Sequence, residues 1–108
     1  MKAGDVVVVR FPFSDLSGSK LRPSIVLAEV GRQDFIACQV TSNPDADATA
    51  IELRDEHLVV GGLKMVSFVR PGKRFTFHAS VAKKRVGQLS GAVTDQIKLA
   101  VIELIRQA

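Results

Sequence analysis

Arg22 stands two residues beyond a polar, glycine-containing stretch, Ser14-Asp15-Leu16-Ser17-Gly18-Ser19-Lys20, and immediately before Pro23. Its planar guanidinium carries five N–H donors and can hold a phosphate through two parallel bonds. The plainer alternative is a surface arginine ahead of a proline. Thr41 and Ser42 place two adjacent hydroxyls at the end of an apolar run, where each can donate to an anion. Between Glu56 and Asp95 there is no acidic residue, whereas Lys64, Arg70, Lys73, Arg74, Lys83, Lys84 and Arg85 all fall there. That interval reads as a positive surface suited to phosphates, against the plainer reading of a solvated rim of ordinary cations. The formal net charge of +4 agrees in sign with an anionic partner such as nucleic acid.

Other reactive groups point to less. His57 and His78 could titrate near neutral pH, but neither stands in a recognisable motif, and a structural or surface role is the expectation for both. Asp45 and Asp47 imitate a metal-binding pair, yet the chain has only two histidines and one cysteine to complete a site, so a solvated acidic loop and no metal are expected. Cys38, the single cysteine, lies between Ile36 and Val40 and reads as a small buried hydrophobe in a reducing compartment.

These side chains need a frame, and hydrophobic periodicity supplies it. Asp5 to Phe13 alternates valines and phenylalanines as a strand should, with Pro12 marking where regular pairing ends. Ser14 to Lys20 is expected as an exposed loop able to approach a ligand closely. Further strands are expected over Pro23 to Glu29, Phe35 to Thr41, Ile51 to Arg54 and Lys64 to Val69. Ser42 to Thr49 is a second loop with Asn43-Pro44 as its turn signal, and Gly61-Gly62 breaks the chain. Pro71-Gly72 suggests a tight turn into a strand over Arg74 to His78, and Lys83 to Val86 suggests one more.

The last element differs in period. Val93, Ile97, Ala100, Val101, Leu104 and Ile105 draw one stripe along a helix, with Ser90 as its N-cap and Asp95 near its positive end. Many short strands and one terminal helix predict a small, mainly β barrel. At 108 residues, 46% of them hydrophobic, the chain suits one domain over residues 1–108 rather than a disordered segment. Only four valines stand between Asp5 and Arg10, too short a run for a signal peptide or membrane span, so a cytoplasmic location without membrane contact is expected.

In order along the chain come Gly4-Asp5-Val6-Val7, Phe11-Pro12-Phe13-Ser14-Asp15, Ser17-Gly18-Ser19-Lys20-Leu21-Arg22-Pro23 and Ile25-Val26-Leu27. Val40-Thr41-Ser42, Leu63-Lys64, Ser67, Val69-Arg70-Pro71 and Gly87-Gln88-Leu89-Ser90 follow. Together these closely resemble the PemK-like branch of the MazF/PemK toxins of type II toxin–antitoxin pairs. The resemblance implies an SH3-like β-barrel with a C-terminal helix, a homodimer, an antitoxin that covers the active surface, and metal-independent, sequence-selective cleavage of single-stranded RNA by its own 2′-hydroxyl with no cofactor. Within it Arg22 matches the family's loop arginine, the main transition-state stabiliser, and Thr41 its catalytic threonine. Ser17, Gly18, Ser19 and Lys20 match the lip over bound RNA, Ser42 assists Thr41, and Arg70, Lys73 and Arg74 lie where strand residues face the substrate.

One departure stands out: many members carry an acidic residue and a glutamine ahead of the arginine that Arg70 matches, whereas this chain reads Ser67-Phe68-Val69-Arg70. The general base is thereby unassigned. The competing reading is a non-catalytic barrel of the same fold that binds a protein target, as the gyrase-directed relatives do, or nucleic acid without cutting it.

Overall fold

The computed structural model describes residues 1–12, 19–45, 47–63 and 65–107. Seven strands, β1 (Asp5–Pro12), β2 (Ser19–Gly31), β3 (Asp34–Thr41), β4 (Ile51–Leu53), β5 (Leu58–Gly61), β6 (Ser67–His78) and β7 (Ala82–Leu89), precede one helix, α1 (Gly91–Arg106), among those residues. They form one antiparallel sheet in the order β4-β6-β3-β2-β1-β7-β5, curled into a half-barrel. The mainly β architecture with a C-terminal helix is the one the sequence predicts.

Strand periodicity sorts the core into two. Val6, Ile25 and Cys38 are successive Cα partners across β1, β2 and β3, and they join Val40, Val69, Ile97 and Val101 in one buried cluster. The intervening Val7, Val9, Val26, Phe35, Ala37 and Phe77 form a second cluster on the opposite face, as a period of two requires. Helix α1 closes the first cluster, packing chiefly against β6. Ser90 caps it, its hydroxyl accepting from the Val93 amide at 3.3 Å. The expected stripe is right except at its end: Ile105 is exposed, and Thr94 is buried instead, its hydroxyl donating to the Ser90 carbonyl at 2.9 Å.

Several boundaries differ from the sequence reading. Strand β2 begins at Ser19 and continues to Gly31, so Ser19 and Lys20 belong to a strand, paired with Pro12 and Phe11, rather than to an exposed loop. Short polar side chains suggest a loop, but backbone pairing with β1 holds this segment extended. Ser17 and Gly18, expected on the same lip, lie outside the described residues. Pro71-Gly72 makes no turn between two strands; β6 runs unbroken from Ser67 to His78. Cys38 pairs with Arg74 and Val40 with Val69, which leaves residues 70–73 bulging against Gln39 alone. A bulge tolerates proline because its residues are outside the ladder, and Pro71 is fully buried there.

Residues 55–61 hold structure the sequence reading did not anticipate, a 3₁₀ turn at Asp55–His57 followed by β5. The His57 Nδ1 accepts from the Arg54 amide at 3.0 Å, closing that turn. Gly61 lies at φ 76° and is the Cα partner of Gly87. A side chain at Gly61 would collide with the Val86 carbonyl, and one at Gly87 would come within 2.8 Å of Leu58 Cδ2. Two glycines thus let β5 close onto β7. No helix among the described residues is long and apolar enough to cross a membrane.

Candidate functional site

The core cluster that α1 closes at one end stays open at the other. An open cavity of about 420 Å³ lies there, and Val6 and Val40 belong both to the cluster and to the cavity wall. That volume is in the range of small-ligand sites, ~300–1,000 Å³. Val8 and Val86 extend the apolar floor, and Arg22, Thr41, Ser42, Ser67 and Lys84 bring polar groups to it.

Arg22 comes to the cavity from inside β2, with Val9 as its Cα partner, and not from the end of a loop. The ladder therefore fixes its backbone, while the long side chain is half-buried. Thr41 ends β3. Its hydroxyl donates to the Asn43 carbonyl and accepts from the Asn43 amide, both at 3.1 Å, so in this state it shapes the turn after the strand. Ser42 follows it, exposed at the cavity edge. Residue 22 and the adjacent pair 41 and 42, distant from it in sequence, thus line one cavity.

Arg70, Lys73 and Arg74 do not line this cavity. Arg70 donates from Nε to Asp47 Oδ2 at 2.7 Å and is committed to the 42–50 loop. Asp47 also accepts from the Thr49 amide at 3.0 Å and the Thr49 hydroxyl at 2.6 Å. The bond from Arg70, with those from Thr49, holds the Asp47 carboxyl well below its usual range, at about 2. Asp47 is thereby an anchor rather than a freely solvated acid. Lys73 and Arg74 are exposed in and beside the bulge of β6.

The expected one-signed positive surface is divided in the same way. Arg85 donates to Asp5 Oδ1 at 3.1 Å, so two acids from outside the basic interval neutralise two of its arginines. Only the fold brings those acids near, which is why a count along the chain missed them. Lys84, one position before Arg85, lines the cavity instead, and the sequence reading did not set it apart from its neighbours. Ser67 was likewise not singled out as a site residue. It is buried, and its hydroxyl donates to the Met65 carbonyl at 3.1 Å. Leu63 and Met65 form part of the wall, and the Leu63 amide is tied to Asp55 Oδ1 at 2.7 Å.

The remaining reactive groups stand apart. Burial pushes the Cys38 thiol up to about 11 against an opposing pull from Arg74, so it stays protonated and inert. His78 caps a short 3₁₀ turn, its Nδ1 accepting from the Ser80 amide at 3.1 Å, and neither histidine lines the cavity.

A curled antiparallel half-barrel closed by one helix, with an arginine, three hydroxyl residues and a lysine around an apolar-floored cavity, defines a small mainly β barrel of the MazF-like fold. The chain belongs to the family described as the PemK-like, MazF-like toxin of type II toxin–antitoxin systems, whose model matches residues 2–105. Among solved structures it is similar to a MazE–MazF complex from Deinococcus radiodurans, at TM-score 0.73 and 21% identity, covering 100% of this chain and 97% of that one. It is also similar to an endoribonuclease in complex with its cognate antitoxin from a mycobacterial species, at TM-score 0.71 and 13% identity, covering 100% and 97%. Toxin MazF-mt6 of Mycobacterium tuberculosis matches at TM-score 0.67 and 18% identity, covering 90% of this chain and 91% of that one. No curated protein matches the sequence at a significant level.

Proposed function

We propose that the cavity is the active site of a sequence-selective, metal-independent endoribonuclease acting on single-stranded RNA. Toxins of this family are generally endoribonucleases. The observation that carries the reading is that Arg22, Thr41 and Ser42 share one cavity although they come from two strands and a loop. In the reaction the 2′-hydroxyl attacks phosphorus, the bond to the 5′-oxygen breaks, and a 2′,3′-cyclic phosphate and a 5′-hydroxyl result. Arg22 grips the non-bridging oxygens as negative charge grows on them. The Thr41 hydroxyl turns from the Asn43 carbonyl to donate to the same group, with Ser42 beside it. Single strands suit an open, apolar-floored cavity because their bases can splay out from the backbone.

Ser19 and Lys20 lie a few residues ahead of Arg22 in β2 and, with Ser17 and Gly18, are assigned to the RNA backbone entering the site. Lys73 and Arg74 are assigned to phosphates beyond it. Arg70 acts on RNA only through the loop it anchors. A cognate antitoxin and a second copy of the chain are the proposed partners in the cytoplasm. Outward apolar side chains such as Leu99 and Ile102 on α1 and Val59 on β5 support surfaces that a partner covers.

The test is incubation with a long unstructured RNA in EDTA, followed by end-group analysis. Cyclic phosphate ends that disappear with Arg22→Ala support the reading, and intact RNA at high protein excess overturns it. A second reading rests on one observation: among the described residues no carboxylate or imidazole lines the cavity to accept the 2′ proton. It holds that the barrel binds a protein target or nucleic acid without cleavage. Growth arrest on expression with cellular RNA left whole would favour it.

A further inference from the structure

Of the two cations that line the cavity among the described residues, Lys84 is the one the family resemblance does not account for. Its neighbours go elsewhere: Arg85 turns to Asp5 and Lys83 is not part of the cavity wall, whereas Lys84, exposed like Lys83, lines the cavity together with Val86. Across the sheet, Val8 has Lys84 as its Cα partner on β7 and Pro23, next to Arg22, on β2. Lys84, opposite Val8, and Arg22, opposite Val9, thus belong to the two strands flanking β1, and both line the cavity; the backbone span between those strands is roughly 10 Å, two strand spacings.

Neither has an ion-pair partner among the described residues, where the pairs are Arg54–Glu52, Arg70–Asp47 and Arg85–Asp5. Two uncompensated cations facing one cavity repel each other, and an anion between them relieves that repulsion. The floor beneath them, Val6, Val8, Val40 and Val86, is apolar and offers a base a surface but no charge.

From this we infer that Lys84 is a second phosphate ligand of the site: it holds the phosphate adjoining the one that Arg22 grips, with the intervening base over the valine floor. The inference rests on the endoribonuclease reading and adds a substrate contact to it. A lysine ammonium on a flexible stem suits this role as a point charge that tolerates either orientation of the neighbouring phosphate. It sets affinity and its salt dependence rather than the bond-breaking step.

The experiment measures binding of a fluorescent, unstructured single-stranded RNA in EDTA from 50 to 200 mM salt, alongside cleavage of the same RNA. The oligonucleotide used for binding carries 2′-O-methyl groups so that it is not cut. Lys84→Ala should weaken binding about tenfold and lower the slope of log affinity against log salt by about 0.7, the value for one phosphate contact to a single strand. KM should rise with kcat little changed, Lys84→Arg should restore the slope, and Lys83→Ala should match the unaltered protein. Cleavage by the unaltered protein together with an unchanged slope in Lys84→Ala overturns the role of Lys84 alone. If the unaltered protein neither binds nor cuts RNA, the endoribonuclease reading falls, and this inference falls with it.

Discussion

Arg22 and Arg70 are both half-buried arginines that follow a short apolar or polar run and precede a proline, yet the fold uses them oppositely. Arg22 lines a cavity and has no acidic partner among the described residues, whereas Arg70 is bonded to Asp47 and fastens a loop. The carboxylate bonded to the Arg70 Nε offsets the charge and fixes the direction of that guanidinium, which weakens its pull on a phosphate. The difference is made by which acid the fold delivers, and it separates a group available for chemistry from one that holds structure.

The largest expected effect falls on the uncommitted arginine. Arg22→Ala should reduce cleavage by about 100- to 1,000-fold, comparable to removing one oxyanion donor, while leaving the melting temperature nearly unchanged. A large loss of stability with normal activity per folded molecule would erase the contrast with Arg70. Thr41→Val should be milder, roughly tenfold in kcat, with Thr41→Ser close to the unaltered protein. If Val and Ser behave alike, the hydroxyl serves only the turn at Asn43.

Arg70→Ala should show the reverse pattern, a loss of about 1 kcal/mol and a fall of several degrees in melting temperature with a smaller effect on kcat than Arg22→Ala. An arginine that contacted substrate directly would instead lose activity without that thermal shift. The smallest effect is a pH dependence. Asp47 has its carboxyl lowered from 3.8 to about 2 in the folded state, so its contribution is fully present above about pH 4. It is lost as pH falls through about 4 towards 2, because the unfolded chain then binds the proton more readily. Denaturant midpoints measured across that window should fall less steeply in Asp47→Asn, and identical curves would show that the pair contributes nothing there.

Much of this molecule is set locally. The valine alternation of β1, the stripe and Ser90 cap of α1, and the burial of Cys38 follow from side-chain periodicity and hydropathy, which neighbours in sequence are enough to determine. The order of short motifs also carries the family, which the match over residues 2–105 bears out. What no local pattern could supply is the pairing of distant segments. Pro71-Gly72 looks like a turn until it is seen as a bulge against Gln39, and Ser19-Lys20 looks like a loop until β1 claims it. The fate of each cation belongs to the same class: Asp47 and Asp5 reach Arg70 and Arg85 across 23 and 80 positions. Lys84 and Arg22 come to line one cavity because β7 and β2 flank β1, and electrostatic pairing depends on distance in space, which the chain acquires only on folding.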